Sequence, residues 1–217
     1  MTGYFYPGFL YGLRASGEYS DLTFRCEGKD LVVHKSVVCP QSQIIAEDVR
    51  EQSKASEKIT IEIGFDLATC ERMVEFLYTG DYEFPETVEP SEPSHQHQNK
   101  STADANIDVG DSTKSLELLP SHLYVYAIAD EYDIPDLCQL ASKKIQQALE
   151  SNWSAGAFIV LIKEAISMSI ERETFYEMAA AMTVRHIEEL GQLDTFTTLE
   201  LPVEFTAQLL RKFSQRV

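Results

Sequence analysis

Polar and apolar residues alternate cleanly in two stretches near the start of the chain. Leu22, Phe24 and Cys26 alternate with Thr23 and Arg25, the period of a half-buried strand. Glu27-Gly28-Lys29-Asp30 carries turn chemistry, and Leu31-Val32-Val33 supplies a second strand, so a hairpin is predicted. Ile59, Ile61 and Ile63 alternate with Thr60 and Glu62 as a third strand. Between these, Ser36–Cys39 and Ser42–Val49 read as short helices split by Pro40. Asp66 is placed to cap a helix whose apolar stripe is Met73, Phe76 and Leu77, and Gly80 stands where its C-terminus needs a left-handed residue.

The pattern then lapses and returns as something else. Residues 83–114 hold Pro85, Pro90 and Pro93 among Ser, Glu, Gln, Asn and Asp, with too few apolar groups to offset the entropy of ordering them. A flexible acidic insertion is predicted there. Beyond it every segment has helical spacing. Leu119–Glu131 is one helix; Pro135 opens the next, with Leu137, Ala141, Ile145 and Leu149 four apart. Ser154 opens a third through Ile166, Glu171–Leu190 is a fourth, and Pro202 starts a last one carrying Phe205, Leu209 and Phe213.

Composition narrows the function. The 217 residues include 18 Lys and Arg against 35 Asp and Glu, a net charge of −17. Phosphate contacts need clustered cations, so nucleic acid and anionic membranes are poor partners. No apolar run approaches the roughly 20 residues of a membrane span. The aromatic N-terminus, Tyr4 to Leu13, is broken by Pro7, Gly8 and Gly12 and is not preceded by a basic residue, unlike a secretory signal. Cys26, Cys39, Cys70 and Cys138 are widely spaced with no C-x-x-C, which reads as reduced thiols in the cytoplasm or nucleus. The insertion carries seven acids and two bases, so it is more acidic per residue than either flank.

Four fragments in register go further. They are Tyr19-Ser20-Asp21-Leu22-Thr23-Phe24, Val33-His34-Lys35-Ser36-Val37-Val38-Cys39, Tyr78-Thr79-Gly80-Asp81-Tyr82, and Ala127-Ile128-Ala129-Asp130-Glu131-Tyr132-Asp133-Ile134. Together they resemble the BTB (POZ) domain, in particular stand-alone BTB proteins of filamentous fungi. The resemblance covers residues 16–150, interrupted by the insertion at 83–114. Residues 1–15 precede it as an aromatic segment, and residues 153–217 look like the BACK-like helices that follow such domains. It implies an α+β fold, a small three-stranded sheet flanked by helices and followed by an all-helical tail. It implies a non-enzymatic protein-interaction module whose partners are proteins. These include a cullin, if the chain is an adaptor for a cullin-RING ubiquitin ligase, and a second copy, if it homodimerises. The alternative is a self-associating scaffold or a subunit of a transcription or chromatin complex. Neither cofactor, metal nor small-molecule substrate is implied.

The resemblance also singles out residues. Asp21, His34 and Lys35 match charged positions near the dimer interface, where they form either a polar pocket or structural caps. Val49-Arg50-Glu51 matches the apolar-x-acidic motif by which adaptors touch a cullin, with Val smaller than the usual apolar residue. Tyr78 matches another cullin-facing position, or else covers the core edge. A Ser36-His34-Asp21 triad exists by residue type only, since no nucleophile elbow surrounds it. His95 and His97 lack further ligands nearby for a metal. The N-terminal aromatics, on a helix expected no longer than Phe9–Ala15, either pack back on the domain or form a partner patch. Trp153 is read as a staple between domain and tail.

Overall fold

The computed structural model describes residues 7–54, 59–84, 116–170 and 172–215. The expected insertion, with His95 and His97, lies almost entirely outside the described residues. A helix α1 (Pro7–Ser16) leads into strand β1 (Leu22–Cys26), which turns back as β2 (Lys29–Val33). The turn is tighter than its sequence implies. Glu27 and Gly28 both take positive φ, 49° and 76°, the two-residue hairpin geometry whose twist matches its strands. β3 (Thr60–Ile63) then lies parallel to β1 on its other side, giving the order β2-β1-β3.

Between β2 and β3 come α2 (Lys35–Val38), a 3₁₀ turn at Cys39–Gln41 that accommodates Pro40, and α3 (Gln43–Gln52). Ser42 caps α3 by accepting from the Ile45 N–H at 3.0 Å. Helix α4 (Leu67–Thr79) begins where Asp66 accepts from the Thr69 N–H at 3.0 Å and ends at Gly80, φ 79°. Both caps were legible in the sequence.

The second half is helical: α5 (Leu119–Glu131), α6 (Pro135–Ser151), α7 (Ala155–Ser167), α8 (Glu173–Arg185), α9 (Ile187–Leu190), α10 (Asp194–Thr197) and α11 (Val203–Ser214). Helix α5 is apolar on nearly every side because it packs against α4, α6 and α7 at once. It is the shared core of sheet layer and tail, and one continuous apolar cluster runs from Leu22 to Phe205. The expected single helix Glu171–Leu190 is broken. At His186 the backbone leaves the helix (φ −114°), and the imidazole stacks on Trp153 with ring centroids 3.6 Å apart. The Trp153 indole N–H donates to Glu189 at 2.7 Å.

Trp153, expected to staple domain to tail, thus meets Phe158, His186 and Glu189 of the tail itself, and the clamp onto the preceding helices lies elsewhere. Arg172 donates to Asp130 and, at 2.6 Å, to Asp133, in the turn between α5 and α6. The Tyr126 hydroxyl reaches Thr174 at 2.6 Å and accepts from the Phe175 N–H at 3.2 Å. Among the described residues no helix is long and apolar enough to cross a membrane.

Candidate functional site

The start of β1, the end of β2, the start of α2 and the end of α4 meet at one point. There Asp21, His34, Lys35 and Tyr78 come together. His34 follows β2 in extended conformation (φ −112°, ψ 120°), which turns its ring inward. Its backbone N–H donates to the Tyr78 hydroxyl at 2.9 Å. The same hydroxyl lies 2.6 Å from His34 Nδ1, and Nε2 lies 2.7 Å from the Glu18 carbonyl. A carbonyl only accepts, so Nε2 carries the proton. With Nδ1 accepting from the Tyr78 O–H, both ring nitrogens have a partner. Burial pushes the Tyr78 phenol up, partly opposed by the His34 N–H it accepts.

Asp21 takes the role that His34 leaves open. Its carboxylate accepts from the Lys35 N–H at 2.8 Å and so caps α2 from across the sheet. Both ring nitrogens of His34 are engaged with Tyr78 and Glu18, so neither is left to activate Ser36. The grouping read from sequence changes accordingly. Of the two readings of Tyr78, cullin-facing or covering the core edge, its 2% exposure fits the second, and it sits with His34 inside the nexus. It lies on the buried side of α4, as Val74 and Leu77 do.

Helix α3 carries Val49, Arg50 and Glu51. Val49 is half-buried against the core; Arg50 and Glu51 are exposed, and Glu51 pairs with Lys54 at 2.6 Å. The apolar residue that α3 shows to solvent is instead Ile44. Ile44, Glu47 and Glu51 sit at i, i+3 and i+7, on one face. That spacing was readable in the sequence but hidden by Ile45, the core residue beside it.

Among the described residues of the N-terminal segment, the aromatics do not fold back. Phe9 and Tyr11 of α1 are 66% and 62% exposed, while Leu10 packs on the core. Tyr19, next to Glu18, is 87% exposed at φ 64°, and Val32 on the edge strand is also exposed. Gly17 is required here: its φ is 63°, and a Cβ would meet Val32 Cγ2 at 3.1 Å.

Where the described residues break off at Phe84, a separate aromatic cluster has formed. The Tyr82 hydroxyl lies 2.8 Å from His122 Nδ1, and the Phe84 and His122 rings meet edge-on at 4.7 Å. Lys144 lies over Tyr82 at 4.5 Å and Arg72 over Phe84 at 4.1 Å. Burial, then the charges of Lys144 and Arg72, pushes His122 down to about 4. Further along, a groove of about 920 Å³ has Phe76, Leu140 and Met178 on its floor and Gln139, Lys143 and Lys212 on its rim. Among the described residues no three metal-ligating side chains converge. All four cysteines are free thiols, and burial pushes Cys138 up to about 12. The arrangement is one of held surfaces, with exposed apolar groups standing on capped, hydrogen-bonded supports.

No curated protein matches the chain. Residues 10–91 match the family model of the BTB/POZ domain.

Proposed function

Because the chain carries a BTB/POZ domain, a protein–protein interaction module, we propose that it serves as an adaptor bringing target proteins to a cullin-RING ubiquitin ligase. The observation that carries this reading is the face of α3. Ile44, Glu47 and Glu51 offer an apolar knob with acidic anchors beside it, and Arg50 is exposed at the same end. Such a combination suits a partner groove, where one desolvated apolar group supplies affinity and the flanking charges fix register. Val49 supports this face from beneath, and Tyr78 holds α4 to β2 behind the sheet. The open groove between α6 and α8 gives the helical tail a place to hold a target segment.

The test is a pull-down with the BTB-type cullin. Wild-type chain is expected to capture it, and Ile44→Ala with Glu51→Ala is expected to weaken capture at least tenfold, the loss of one apolar anchor and one charge. No capture by the wild type, or capture that both substitutions leave unchanged, refutes the adaptor reading.

The second reading is a self-associating scaffold in a cytoplasmic or nuclear complex. It is favoured by the exposed apolar residues Phe9 and Tyr11 on α1, Tyr19 before β1 and Val32 on the edge strand. Light scattering that shows a monomer, with no protein co-purifying, eliminates it.

A further inference from the structure

The turn between α5 and α6 is held from two sides. Its backbone closes as a helix end: the Ile134 N–H donates to the Ala129 carbonyl at 2.8 Å, and Asp133 takes a left-handed φ of 49°. That conformation is strained for any residue but glycine, least so for Asn and Asp. From the tail, the Arg172 guanidinium supports it, donating to Asp130 near the end of α5 and, at 2.6 Å, to Asp133 itself. From the other side, the buried Ser42 hydroxyl donates to the Tyr132 carbonyl. That carbonyl and the Asp133 N–H share one peptide plane. Arg172 and Ser42 therefore grip neighbouring groups, the Asp133 side chain and the carbonyl just before it.

Ser42 carries the connection into α3. Its Oγ also accepts from the Ile45 N–H at 3.0 Å, which is the cap of that helix. A hydroxyl whose proton is given to Tyr132 turns its lone pairs to the amide, so the two bonds fix one rotamer. Without the Tyr132 carbonyl, the buried O–H would lose its acceptor. Ile44 is the second residue of α3, in the first turn that this cap closes. Ile45 beside it is fully buried and keeps the helix docked, so the cap decides how well the first turn is formed. At the far end of the connection, Arg172 occupies the N-cap position of α8, one wall of the groove that α8 forms with α6.

We infer that the α5–α6 turn is a relay through which the helical tail sets the order of the first turn of α3, with Arg172, Asp133 and Ser42 as its positioning residues. A displacement of α8 is thereby felt at Ile44, and by linkage a partner held at Ile44 is felt at α8. The relay stands on these bonds alone; its effect on cullin capture rests on the adaptor reading.

Amide hydrogen exchange of the whole chain, followed residue by residue by NMR, tests this. Ser42→Ala is expected to speed exchange at Ile45 and Ala46 roughly fivefold, the effect of one lost cap. Arg172→Ala is expected to speed the same two amides about threefold with β1 unchanged, and Arg172→Lys, which keeps the charge but not the fork of donors, to fall between it and wild type. Ser42→Ala with Arg172→Ala is expected to exchange no faster there than Ser42→Ala alone, because the relay passes through that hydroxyl. Arg185→Ala, which removes the ion pair to Glu150 at the other end of α8, is expected to leave both amides at wild-type rates. In the cullin pull-down, Arg172→Ala is expected to weaken capture about threefold; a wild type that captures no cullin refutes the adaptor reading, and the exchange rates still decide the relay. Unchanged Ile45 and Ala46 exchange in Arg172→Ala, equal acceleration in β1, the same acceleration in Arg185→Ala, or additive effects in the double variant each overturn it.

Discussion

His122 is a histidine that folding keeps neutral, and that makes a measurable prediction. It sits on α5 with Nδ1 2.8 Å from the Tyr82 hydroxyl, closed in by Phe84 and faced by the cations Lys144 of α6 and Arg72 of α4. Burial first, then those two charges, lowers it from 6.5 to about 4. The folded chain therefore binds this proton less readily than the unfolded chain. Its contribution to stability is complete above pH 6.5 and is lost as pH falls from there toward 4. Below both values the loss amounts to about 3 kcal/mol, and at pH 5 to about 2 kcal/mol. Urea unfolding at pH 7 and pH 5 measures it, with His122→Gln as reference because glutamine keeps a polar partner for Tyr82 and does not titrate. The wild type is expected to lose about 2 kcal/mol more than His122→Gln between the two pH values. Shared losses from carboxylates cancel in that difference. Equal losses in the two proteins would show that His122 is not desolvated, and the reasoning would fail.

Tyr78→Phe keeps the buried ring but leaves the His34 N–H and Nδ1 without their partner; an unfolding free energy lower by about 1–3 kcal/mol is expected in chemical denaturation. Asp21→Ala uncaps the Lys35 N–H and is expected to cost about 1 kcal/mol, read as a fall in thermal midpoint. Arg172→Ala removes both carboxylate contacts between tail and α5–α6 turn; faster hydrogen exchange across α8 and α11 is expected, with exchange in β1 unchanged. Gly17→Ala places a Cβ at 3.1 Å from Val32 at positive φ, and a loss of about 1 kcal/mol or more in urea unfolding is expected.

Local signals were strong wherever one residue and its near neighbours decide the outcome. Asp66 and Gly80 bound α4, Ser42 and Ser154 cap α3 and α7, and the alternation at Leu22–Cys26 and Thr60–Ile63 marks β1 and β3. The same local signals failed where a distant partner decides. Glu171–Leu190 has unbroken helical spacing, yet it breaks at His186, whose ring stacks on Trp153 more than thirty positions away. The candidate site shows the same division. Asp21, His34 and Lys35 are close in sequence and could be singled out together; that Tyr78 joins them depends on α4 returning across the sheet.

By itself the sequence determined the alternation of the strands, the caps of the helices, the compositional break after residue 82 and the family resemblance. Each depends on residue types at short spacing, whose backbone preferences act without tertiary help. Only the tertiary structure decided which apolar residues are covered. Val49 and Ile44 are both aliphatic residues on α3, but packing half-buries Val49 and leaves Ile44 exposed. Likewise α11 was read as apolar at Phe205, Leu209 and Phe213, and folding put Phe205 in the core while leaving Phe213 exposed. Burial is a property of what a surface meets, and what it meets is set by chain segments far away in sequence.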